Sequence, residues 1–257
     1  MNKKYLYRLR KKIKALTTGI VSADDFDWDL YPEHYRGELS DIAKIHTQVL
    51  SQGDYVFKEN ELKLNSEKLP LHPNHRLLYE TVLQLSPLSI IEIGCGGGDH
   101  LWNINVLSPE TKLYGRDLSN EQISLLKKRH PSLDAEIEQL DITLPSSVNM
   151  QKVDIAFTQA VIMHIKTGNA HLVALTNLFH YAKKQVLLIE NPNSHNFKED
   201  IEFLFSKHML PWDNLYMYYR CSMELFGARI LVFSSVPLKM YPKLVSYEDF
   251  VNKNIPA

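Results

Sequence analysis

The chain has 257 residues, 44% apolar and 23% charged, a soluble globular composition that excludes collagenous, disordered and disulfide-scaffold proteins. Lys plus Arg number 29 against 30 for Asp plus Glu, a formal net charge of −1, which argues against a whole-surface nucleic-acid binder. Cys95 and Cys221 are too few for a disulfide framework, and the absence of any run of about 18 apolar residues argues against stable membrane insertion.

Met1 to Lys14 carries seven basic residues with no apolar segment behind them, so a signal peptide is not expected. Residues 24–41 hold seven acids against Arg36 alone, and the two oppositely charged stretches read as solvated or mutually paired, with a basic arm for an anionic surface as the sharper reading. Leu39, Ile42, Ile45 and Val49 have helical spacing. Pro70 and Pro73 punctuate the chain, and Asn74 to Leu85 reads as a helix capped by Asn74. The stretch to residue 70 has no strand pattern and few apolar residues, so a helical cap is expected over 1–70, a core over 71–240 and a tail over 241–257.

A regular alternation follows. Ser89 to Ile93 is a short apolar run suited to a strand buried on both faces. Asp99 to Leu107 reads as a helix, Thr111 to Arg116 as a strand, Asn120 to Arg129 as a helix and Ala135 to Leu140 as a strand. Val153 to Thr158 is a fourth strand, Ala170 to Ala182 a helix, Val186 to Glu190 a fifth strand, and residues 198–208 a last helix. Leu215 to Cys221 and Ala228 to Ser235 then form a hairpin. The fold class is α/β: a doubly wound, Rossmann-like, mostly parallel sheet closed by a C-terminal antiparallel hairpin, under a helical N-terminal cap.

Only ten glycines occur in the chain, and four of them are Gly94, Gly96, Gly97 and Gly98. That concentration calls for positive φ or close backbone approach in one loop. A dinucleotide Gly-x-Gly-x-x-Gly fingerprint fails, because Asp99 or Leu101 occupies the third glycine's place, and no Gly-Lys-Ser/Thr follows for a phosphate-binding loop. What fits is acidic-x-Gly-x-Gly-x-Gly at Glu92, Gly94, Gly96 and Gly98, directly after the first strand of the sheet. In this the chain resembles the class I S-adenosylmethionine-dependent methyltransferases of small-molecule type, over roughly residues 75–235. The second strand ends Gly115-Arg116-Asp117-Leu118-Ser119, similar to the family's Gly-x-Asp-x-Ser, with Asp117 19 residues past Gly98.

The resemblance implies S-adenosylmethionine as cofactor and a set of residues to hold it. Glu92, Gly94, Cys95, Gly96 and Gly98 would form its loop. Asp117 would accept both ribose hydroxyls, with Leu118 beside it. Asp141 would take the adenine amine while Ile142 packs on the ring, and Gln159 would face the methionine end. Each also has an ordinary reading: Asp117 as a helix cap, Asp141 as a turn aspartate, Gln159 as a solvated loop residue, Cys95 as a small buried side chain. His164, six residues past Thr158, lies where similar small-molecule methyltransferases often place a histidine. An imidazole of ordinary pKa suits removal of a proton from an oxygen acceptor. His164 is therefore the expected base, with substrate binding and structural packing as its other readings. His72, His75 and His195 are further substrate-side candidates, as are Tyr31, His34 and Tyr35 in the cap.

The expected acceptor is a small molecule such as a sugar-, phosphate- or nucleotide-linked metabolite, methylated at oxygen in the cytoplasm without nucleic acid or metal. The segment Thr158-Gln159-Ala160-Val161 lacks the Asp/Asn-Pro-Pro-aromatic motif of nucleic-acid amine methyltransferases. Three alternatives stand beside this reading: methylation of a small amine, a nicotinamide-dependent oxidoreductase, and a cofactor-binding scaffold without catalysis.

Overall fold

The computed structural model describes residues 48–145, 151–222 and 228–252. Tyr31, His34, Tyr35, the charged N-terminal stretches and most of the helix expected over 39–50 lie outside these.

The described chain opens not on a helix but on a hairpin, β1 (Tyr55–Lys58) and β2 (Glu61–Leu64), paired antiparallel. Its two-residue turn places Glu59 and Asn60 at φ +55° and +64°, the doubly left-handed geometry that matches strand twist in tight hairpins. The expectation of a strandless region up to residue 70 is corrected here. Leu50, Tyr55, Leu62 and Leu71 are buried in one core cluster with Leu77, Leu78 and Leu101. The Asn103 side chain accepts from Leu50 N at 2.8 Å and donates to Gln48 O at 3.0 Å. Residues 48–71 are thus packed onto the core.

Helix α1 (Pro73–Leu85) begins one residue earlier than expected. Its cap is His72 rather than Asn74: the imidazole Nδ1 accepts from Asn74 N at 3.2 Å, and Pro73 takes the first helical position, where its missing N–H costs nothing. The sheet strands follow with their crossover helices: β3 (Ser89–Ile93), α2 (Asp99–Leu107), β4 (Lys112–Asp117), α3 (Asn120–Arg129), β5 (Ala135–Gln139), β6 (Val153–Gln159), α4 (Ala170–Tyr181) and β7 (Ala182–Ile189). Strand β7 starts directly where α4 ends, four residues before the apolar run, because its first turn of chain exposes Lys183 and Lys184. Then come α5 (Phe197–Ser206), β8 (Tyr216–Cys221), β9 (Arg229–Ser234) and α6 (Tyr247–Asn252).

The seven-stranded sheet runs β5-β4-β3-β6-β7-β9-β8, with β9 antiparallel to both of its neighbours and the other pairings parallel. Strand order reverses between β3 and β6, the switch point where such sheets open a crevice at their C-terminal edge. One face packs on α1, α2 and the hairpin around Ile90, Ile155 and Phe157. The other packs on α4, α5 and α6 around Ile91, Ala156 and Leu188. Residues 241–252, expected as a tail, are part of that packing: Leu244, Tyr247 and Phe250 are buried, and Leu244 N bonds Met217 O beside the edge strand.

Candidate active site

The glycine loop links β3 to α2 at the switch point. Gly94, Gly96 and Gly98 all have positive φ, but for different reasons. A Cβ on Gly94 would stand 2.3 Å from Val161 Cγ2, and one on Gly98 2.4 Å from Leu126 Cγ, so both are glycine because protein packs against them. A Cβ on Gly96 would meet nothing nearer than Gln122 Oε1 at 3.9 Å. The loop therefore opens at Gly96. Cys95 turns inward: it is buried, and burial with the nearby Glu92 carboxyl pushes its thiol pKa well up. The side chain reads as structural, leaving only its backbone to the crevice.

Asp117, at the end of β4, is buried and ties the loop down. Its Oδ2 accepts from Gly96 N at 2.8 Å and Oδ1 accepts from Ser119 N at 2.9 Å. Leu118, the next residue, is 52% exposed although large and apolar. Past β5, Asp141 Oδ1 accepts from Thr143 N and Oγ1 at 2.9 and 2.6 Å. That is the turn geometry of its ordinary reading, with Oδ2 left over. Ile142 is buried and Leu144 is 60% exposed. The ends of β4 and β5 thus present exposed apolar side chains beside carboxylates.

Three buried acceptor atoms around this crevice have no hydrogen-bond partner among the described residues: Glu92 Oε2 on β3, Gln122 Oε1 on α3 and Gln159 Oε1 on β6. An unmatched buried polar atom is costly, and all three ask for a donor. Glu92 and Gln159 lie on one face of adjacent strands, since Glu92 is in register with Phe157 and Gln159 follows two residues on. Desolvation holds the Glu92 carboxyl well above the usual glutamate range, reinforced by the charges of Asp117 and Asp99. The arrangement suits a ligand rich in N–H and O–H donors that carries positive charge near Glu92.

The acceptor-side turn follows β6. Ala160 stands at φ +54° and a short 3₁₀ turn spans Ile162–His164. Glu190, at the end of β7, clamps it: its carboxylate accepts from Thr158 Oγ1 at 2.7 Å, from Val161 N at 3.1 Å and from Met163 N at 3.0 Å. His195 braces the same turn, donating from Nε2 to Ile162 O at 3.1 Å while its ring stacks on His171 at 4.3 Å. Burial and the neighbouring His171 hold the His195 pKa below its usual value. His164 and His195 are therefore brought to one turn, with His164 half-buried at its end. His72 and His75 lie away from that turn, in a ring cluster with His100 and Tyr79 on the α1–α2 face. The cap role of His72 Nδ1 occupies one of its two nitrogens.

Sequence reading did not single out Glu190 or Gln122, which the structure sets at the crevice. Their common signal was position: Glu190 directly follows β7 at the C-terminal edge of the sheet, and Gln122 occupies the first turn of a crossover helix. Among the described residues there is no cluster of three or more metal-ligating side chains, and no helix there is long and apolar enough to cross a membrane.

Comparison with solved structures finds the same fold elsewhere. Magnesium protoporphyrin IX methyltransferase from Synechocystis, solved with SAM bound, superposes at a TM-score of 0.53 with 14% identity, over 89% of this chain and 96% of that one. An amino pentose methyltransferase from Micromonospora echinaspora, also with SAM bound, gives 0.50 and 11% over 64% and 91% of the two chains. The methyltransferase domain of a bacterial Hen1 protein gives 0.50 and 14% over 63% and 96%. At these identities the likeness is one of fold. No curated protein sequence matches the chain. The methyltransferase domain family matches residues 85–224, more than half of the chain and all of the crevice from β3 to β8. The chain belongs to that methyltransferase domain family.

Proposed function

We propose that this protein transfers a methyl group from S-adenosylmethionine to an oxygen atom of a small molecule. The observation that carries the cofactor reading is the trio of buried, partnerless acceptors at Glu92, Gln122 and Gln159 around a glycine loop that opens at Gly96. S-adenosylmethionine has the complementary chemistry: an ammonium, ribose hydroxyls and an adenine amine as donors, and, when bound, a methyl group on a positively charged sulfur. Glu92 and Gln159 would take the ammonium. Asp117 and Gln122 would take the ribose hydroxyls, beside the open face of Gly96. Asp141 Oδ2 would take the adenine amine, with the ring between Leu118 and Ile142.

Methyl transfer in line needs the acceptor atom held and water excluded more than it needs covalent chemistry. The turn over 160–164 is suited to that holding, because Glu190 and His195 fix its backbone from two sides. His164 at its end would remove the proton from an acceptor hydroxyl. The near-zero net charge supports a small acceptor over nucleic acid, and the reading places the protein in the cytoplasm.

The test is methyl transfer to a panel of small hydroxyl-bearing acceptors, with His164→Ala beside the wild type. Loss of the base should lower turnover about 10²–10⁴-fold while cofactor affinity stays nearly intact. Turnover within a few-fold of wild type would remove His164 from the role.

A further inference from the structure

His100 sits in the first turn of α2 directly behind the glycine loop, and its protonation is fixed by a relay that can be followed atom by atom. Asn103 accepts from Leu50 N through Oδ1 and donates to Gln48 O through Nδ2, so its amide orientation is determined by backbone groups of known character. The same Nδ2 donates to the Tyr79 hydroxyl at 2.9 Å. That hydroxyl has one proton, and the His100 Nδ1 at 2.8 Å is its remaining partner. Nδ1 is therefore the acceptor, and the ring proton is on Nε2. Burial keeps the imidazole neutral, holding its pKa down to about 4. His100 thus presents an N–H donor at Nε2, since its hydrogen bond among the described residues is made through Nδ1. It cannot serve as a base, because its basic nitrogen is occupied by the phenol.

Phe157 is a common neighbour of this donor's ring and of Glu92. The His100 ring meets the Phe157 ring at 6.4 Å and 75°, and Phe157 is in register with Glu92 on the neighbouring strand. The Tyr79 hydroxyl feels the charges of Glu92 and Asp99. An amino acid carries its ammonium and its carboxylate on a single carbon. A crevice that offers Glu92 to the ammonium is completed by a donor close to it for the carboxylate. We propose that His100 Nε2–H is that donor, and that Tyr79 and Asn103 are positioning residues that fix its tautomer. This inference rests on the cofactor reading above.

Calorimetric titration of the full chain near neutral pH tests it with two ligands: S-adenosylhomocysteine, and its decarboxylated analogue, which keeps the amine. A hydrogen bond to a charged group predicts about 10- to 100-fold tighter wild-type binding of the intact ligand. His100→Ala should lose about that factor for the intact ligand and bind the analogue within about twofold of wild type. His100→Asn, which restores an N–H donor, should recover part of the loss. Tyr79→Phe, which frees the tautomer, should weaken the intact ligand selectively. Should the alanine variant fail to fold, the Asn and Phe variants give the same ligand comparison. Equal wild-type affinity for the two ligands, or equal loss of both in the variants, overturns the role of His100 while leaving the cofactor reading standing. If the wild type binds neither ligand, the cofactor reading itself falls, and this inference with it.

Discussion

Glu92→Gln should move two measurements in opposite directions. The Glu92 side chain is 2% exposed, its Oε2 lacks a partner among the described residues, and burial together with Asp117 and Asp99 raises its pKa well above 4.5. In the unfolded chain the same carboxyl titrates normally. For an acid raised in the folded state, stability is greatest while the group is protonated and is lost as pH rises from the ordinary glutamate range through the folded value. Near neutral pH the ligand-free protein therefore carries a penalty that glutamine removes. A gain of about 1 kcal/mol would raise Tm by roughly 2–4 °C in a chain of this size. Cofactor binding should change the other way. Exchanging a carboxylate for an amide at the ammonium costs about 1.5–3 kcal/mol, or 10- to 100-fold in Kd. An arriving ammonium also favours the ionised carboxyl, so wild-type binding should release protons, detectable by titration in buffers of different ionisation enthalpy. The variant should release fewer. Thermal melts and calorimetry on the two proteins suffice, and a variant with lowered Tm, unchanged affinity and unchanged proton release would refute the reasoning.

Gly94→Ala should destabilise the protein by more than about 2 kcal/mol, because left-handed strain adds to a 2.3 Å clash with Val161. Gly96→Ala should cost only the strain, about 1–2 kcal/mol, and yet lose cofactor affinity; equal urea midpoints for the two variants would contradict this. A chain beginning at His72 should be poorly stable, because it strips Leu50, Tyr55, Leu62 and Leu71 from the core, and a urea midpoint equal to that of the full chain would contradict this.

The parallel core was legible because its signals are local. The apolar run at Ser89–Ile93, the glycine loop and the stretch Asn120–Arg129 before Pro131 fix β3, α2 and α3 to within a residue. Where signals were tertiary, the reading slipped. The β1–β2 hairpin lacks the usual glycine in its turn and uses Glu59-Asn60 instead. Strand β7 begins with exposed Lys183 and Lys184, which read as loop. The helix cap went to His72 because proline, not asparagine, decided the first turn. In the site, Asp117 and Asp141 were singled out by their place at the ends of β4 and β5, where exposed Leu118 and Leu144 flank them. The clamp by Glu190 and the relay from Asn103 through Tyr79 to His100 were not, since each joins residues 21 to 32 positions apart through side chains.

The most direct test of the central claim is titration of the wild-type chain with S-adenosylmethionine, with a nicotinamide dinucleotide titrated in parallel. The account predicts one binding site of micromolar affinity for S-adenosylmethionine, abolished or weakened about 10- to 100-fold by Asp117→Ala, and no heat from the dinucleotide. Silence with S-adenosylmethionine, or binding that survives Asp117→Ala unchanged, would contradict it.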